Sequence, residues 1–129
     1  MNCPDGAAEV ASILAANPGK VFALGMHPTN SSYTPPYAGE EDFRRGFLDA
    51  FYSTPYCGTS RFMPSAFINR REWSPGEKIT SRTSWASGVT TIIGEASPLN
   101  VGVKAEYTEG TSMLDVLVEV YYTGAVTDE

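Results

Sequence analysis

Long apolar runs are missing from this chain of 129 residues. None approaches the ~20 residues that a membrane-spanning helix needs. The longest, residues 21–26 and 116–122, have the length of strands. Basic charge is also scarce: nine Lys and Arg stand against fifteen Asp and Glu, a net charge of −6. An acidic surface repels phosphate backbones, so nucleic acid is not expected as a partner. The pairs Arg44–Arg45 and Arg70–Arg71 are too short to make a basic patch.

Histidine occurs once, as His27, and cysteine twice, as Cys3 and Cys57. A structural zinc site wants four Cys or His ligands at short spacing, so no metal is expected. Phosphate-cradling glycine patterns and paired catalytic carboxylates are not found, and no cofactor is expected. Nor do the first residues, Met1 to Pro4, make a charged segment followed by an apolar leader. What is present is ordinary globular chemistry, 42% hydrophobic and 19% charged, enough for one compact domain and a small appendage.

The apolar spacing predicts a helix over residues 4–17, with Pro4 in its first turn and Ala7, Val10, Ala11 and Leu14 on one face. Asn17-Pro18-Gly19 should stop it. Residues 20–26 (KVFALGM) read as a strand buried on both faces. A proline-rich loop follows, in which Tyr33 and Tyr37 offer a binding surface or a cover for the sheet edge. Residues 40–52 return to helical period, weakened at Gly46. Pro64 introduces a short strand over 65–69, and 78–93 is a weaker helical stretch. Residues 99–107 place Leu99, Val101, Val103, Ala105 and Tyr107 on one face, and 112–122 place Leu114, Val116, Val118, Val120 and Tyr122 on one face, which predicts a β-hairpin.

This order gives an α/β fold from which one strand, before Cys3, is missing. It divides the chain into a domain over 1–97, a hairpin over 98–124 and a tail over 125–129. Cys3 opens a helix, where the dipole and free N–H groups stabilise a thiolate, as in Cys-x-x-Cys redox sites. Pro64 directly before a strand occupies the place where redox folds put a cis-proline. A Cys3–Cys57 bridge is conceivable and would be worth roughly 4 kcal/mol. His27, at the carboxyl end of a strand, is a candidate base or ligand. Asn69 and Arg70 are candidates for ligand contact or for simple capping.

Together these residues resemble the outer membrane protein 28-related family, thioredoxin-like lipoproteins of Gram-negative envelopes. Asn2, Cys3 and Pro4 look like the second half of that family's W-C-x-N-C-P stretch. Residues 20–27 (KVFALGMH) resemble its next strand, and 63–70 (MPSAFINR) its proline segment. Residues 98–122 are similar to the start of its β-rich region. The resemblance implies a thioredoxin-like sheet with flanking helices, N-terminally truncated, in the periplasm or outer membrane. It places Cys3 at the resolving-cysteine position and Pro64 at the cis-proline position, with the attacking cysteine upstream. Such a chain is expected to be non-catalytic, a binding or assembly domain with a protein or peptide partner. The alternative is a fragment of a thiol-disulfide oxidoreductase. An unpaired edge beside residues 21–26 would also invite a homodimer.

Overall fold

The computed structural model describes residues 3–125, which divide into two compact units with the boundary after Gly94. The first unit is mixed α/β. Helix α1 spans Cys3–Ala16 and buries Gly6 and Ile13, with Val10 half-buried between them. That spacing keeps the three on one face. The Asn17 side-chain amide donates to the Ile13 carbonyl at 2.9 Å, satisfying a group the helix end would leave free.

After a short helix α2 (Thr54–Cys57), strand β1 (Ser65–Phe67) pairs antiparallel with β2 (Ile79–Ser81), Ala66 opposite Thr80. A single turn of 3-10 helix over Arg82–Ser84 leads into α3 (Trp85–Ile93). Trp85 ties these elements together: its ring is buried and its indole N–H donates to the Thr80 carbonyl at 2.9 Å. With Ile13 and Ile68 it forms the core, against which Val10, Val21, Ala66, Trp73, Val89 and Ile92 pack.

Two expected elements do not form. Residues 20–26 are no strand: apart from Lys20 at the start, none of their main-chain groups has a hydrogen-bond partner among the described residues. Val21 reaches the core, but Phe22 is 89% exposed and Leu24 83%. A doubly apolar run becomes a buried strand only where both its faces are covered, and here Phe22 and Leu24 stand exposed with no ladder partner among the described residues.

The helix expected over 40–52 shrinks to one 3-10 turn, Gly46–Leu48. Local side chains offer the backbone other partners there. Asp42 accepts the Arg44 N–H at 2.9 Å and the Arg44 guanidinium at 2.7 Å. The Arg45 N–H donates to the His27 carbonyl at 2.9 Å, out of helical sequence. In the stretch expected as a helix over 78–93, helix begins only at Trp85, the residues before it being given to β2 and the 3-10 turn.

The second unit is a hairpin of β3 (Leu99–Thr108) and β4 (Met113–Tyr122). Its register sets Leu99 opposite Tyr122, Val101 opposite Val120, Val103 opposite Val118, Ala105 opposite Val116 and Tyr107 opposite Leu114. Side chains directly opposite one another share a face, so both apolar sets fall on the same side of the ribbon. Ser112, with φ of 53°, closes the turn.

Candidate functional site

A concavity of the first unit lies between α1, residues 20–28, the Tyr33–Tyr37 loop, β1 and α3, with a volume of about 1400 Å³. Its walls are largely apolar. Val10 and Ile13 come from α1, Trp85 and Val89 from α3, and Phe22 and Leu24 from the unpaired segment. This exceeds the ~300–1,000 Å³ of an ordinary small-molecule site.

Two unpaired backbone edges border it. One is the segment 21–26. The other is β1, whose sheet contains two strands among the described residues, so its edge away from β2 has no strand neighbour among them. In an antiparallel pair alternate residues turn their N–H and C=O away from the partner. Strand β1 therefore presents main-chain groups on its free side.

Cys3 opens α1, is exposed and lies in the cavity wall. Pro64 is in the wall too, and the Met63–Pro64 bond is cis. Pro64 packs against the first helix at Gly6. His27 and Asn69 also line the cavity, and both are exposed. The His27 ring tilts against Phe43, with centroids 6.3 Å apart. Asn69 and Arg70 have φ of 50° and 55°. They are the central pair of a tight turn in which the Arg71 N–H donates to the Ile68 carbonyl at 3.2 Å.

Cys57 is elsewhere. It ends α2, is fully buried, and directs its thiol at the Ser53 carbonyl 3.3 Å away. Burial pushes its pKa up, an effect that the nearby Arg61 partly offsets. The bridge to Cys3 does not form: both cysteines are free, one exposed and one enclosed by its own loop. Among the described residues no group of three or more His, Cys, Asp or Glu is placed to hold a metal ion. Nor is any helix long and apolar enough to cross a membrane.

Two carboxylates with no signal in the sequence organise the surrounding loops. Glu77 accepts the Thr59 N–H at 3.1 Å, the Thr59 hydroxyl at 2.6 Å and the Ser60 N–H at 3.1 Å. These bonds, the Thr59 hydroxyl first, hold its pKa below the ordinary glutamate value. Gly58, with φ of 88°, lets the chain pass so close that a Cβ there would lie 2.3 Å from the Gly76 carbonyl. Asp49 likewise gathers the Thr29 hydroxyl and N–H and the Asn30 N–H, which depresses its pKa. Both pairings join residues about 20 positions apart, beyond the reach of any local pattern.

Comparison with protein-family models, with characterised proteins and with solved structures finds no match to this chain.

Proposed function

We propose that this chain is a non-catalytic, thioredoxin-like binding or assembly domain of a bacterial envelope protein. The reading is carried by one observation. The large apolar cavity has a single thiol in its wall, Cys3, while Cys57 is buried outside it and bonded to Ser53. A lone thiol makes a mixed disulfide but has no internal partner to resolve it, so the pair does not cycle. An open cavity with apolar walls is instead suited to holding a partner. The envelope location rests on the family resemblance.

The alternative is a thiol-disulfide oxidoreductase in which Cys3 works with a second thiol outside this chain. The position of Cys3 at the start of α1, in the cavity wall, favours it. An insulin-reduction assay with dithiothreitol as reductant separates the two when it is run on the chain carrying one cysteine added directly ahead of Met1, the position that completes Cys-x-x-Cys with Cys3. The binding reading expects no turnover above the dithiothreitol background, and the same result for Cys3→Ser. Multi-turnover reduction that Cys3→Ser abolishes would overturn it.

A further inference from the structure

We infer that the second unit is a self-association surface: β3 of one copy pairs antiparallel with β3 of a second copy, about a two-fold axis at Ala105. The hairpin alone carries this, independently of the cavity and of the function proposed for it.

Three observations support it. First, β3 and β4 make a sheet of two strands, so the outer edge of each has no strand neighbour among the described residues. Such an edge is a template for a further strand. Two strands alone are marginal in water, whereas three or more with an apolar face are stable. Second, the ribbon is open on both faces and its charges are poorly matched. On the apolar face Val103 is 66% exposed and Tyr107 59%. On the other face Glu106 stands directly opposite Asp115, and like charges so placed repel. Lys104, two positions away, is opposite Leu117. Neither Lys104 nor Glu106 has an ion partner among the described residues.

Third, the edge of β3 complements itself in one register. An axis at Ala105 sets Lys104 of each copy opposite Glu106 of the other, and Val103 opposite Tyr107. Opposite charges and an aromatic beside a β-branched residue are the cross-strand pairs that stabilise a sheet. An axis at Lys104 or at Glu106 would oppose like charges, and one at Val103 would pair neither charge. An axis between two residues would turn the apolar set to the wrong face. Strand β4 offers no such match, because Asp115 and Glu119 are its only charged residues. The contact therefore runs over residues 102–108 of each copy, roughly 20 Å. It yields a four-stranded sheet whose two outer edges are both β4, acidic and mutually repelling.

Sedimentation equilibrium of the full chain, from about 1 µM to about 1 mM, tests this. A monomer–dimer equilibrium is expected, weakened about threefold or more as salt rises from about 0.05 M to about 0.5 M. Lys104→Glu and Glu106→Lys would each oppose like charges twice, and each should weaken dimerisation about tenfold or more. Mixed in equal amounts, the two variants should pair with each other at about the native strength. One then carries two acids at these positions and the other two bases. The double variant K104E/E106K keeps the net charge at −6 and should dimerise as the native chain does. A chain that stays monomeric throughout would overturn the pairing. So would a dimer that ignores both reversals, which would place the contact elsewhere, residues 21–26 included. Reversals that weaken the dimer but are rescued neither by mixing nor by the double variant would overturn it as well. Assemblies growing past the dimer would mean β3 of one copy on β4 of the next, again against the two-fold. If a single reversal fails to fold, the double variant and the salt series still decide.

Discussion

Gly6 and Pro64 touch where the first helix crosses the strand entry. A methyl group at Gly6 would lie 2.9 Å from Pro64 Cγ, 3.0 Å from its Cβ and 3.3 Å from Trp85 Cη2. A proline ring and a core indole give way poorly. Gly6→Ala is therefore expected to destabilise the first unit by about 1–3 kcal/mol, although alanine is the better helix former. Urea unfolding followed by tryptophan fluorescence checks this, and an unchanged midpoint would show that the contact relaxes freely.

Glu77 should matter more at neutral pH than in acid. Its folded pKa is depressed by the bonds from Thr59 and Ser60. Its contribution is thus complete above the unfolded value, about 4.3, and is lost as pH falls through the lower folded value. Glu77→Gln is expected to lower the melting temperature at pH 7, with the gap to the native chain closing below about pH 4.3. A gap independent of pH would assign the effect to shape rather than charge.

The two thiols should behave as different species. Cys3 is exposed, whereas Cys57 is fully buried with its pKa raised. Reaction depends on thiolate and access. An aromatic disulfide reagent should titrate one thiol in the native chain and two in guanidinium. Rapid native reaction of both would show that the loop around α2 opens readily.

Apolar residues should divide sharply by cost. Ile68 is buried in the core, and Ile68→Ala is expected to cost about 2–5 kcal/mol. Leu24 is 83% exposed, and Leu24→Lys should change stability by no more than about 0.5 kcal/mol. Denaturant midpoints of the two variants test the contrast. A large loss from the Leu24 change would mean that residues 21–26 are buried in solution.

Where a local rule sufficed, the structure was legible in the sequence. The helix expected over 4–17 is α1, and the hairpin forms nearly at its expected limits. Of the stretch expected as helical over 78–93, Trp85, Val89 and Ile92 lie at the core from α3, whereas Ile79 is buried from a strand. Legibility ended where an element depends on distant partners. Residues 20–26 have the composition of a central strand and no ladder partner among the described residues to make them one. Residues 40–52 have helical period, but Asp42 and His27 draw the Arg44 and Arg45 amides elsewhere. The site was half legible. Cys3, Pro64, His27 and Asn69 come to one cavity, whereas Cys57 and Arg70 stand outside it. The anchoring roles of Glu77 and Asp49 exist only once the chain is folded.

The register of the hairpin also fixes how it would respond to pulling. Leu99 and Tyr122 are paired at its open end, so its two chain connections leave side by side. Tension between them would load one pair at a time and peel the ribbon toward Ser112, never shearing all ten pairs together. Such a ribbon yields at low force and pays out roughly 80 Å of chain.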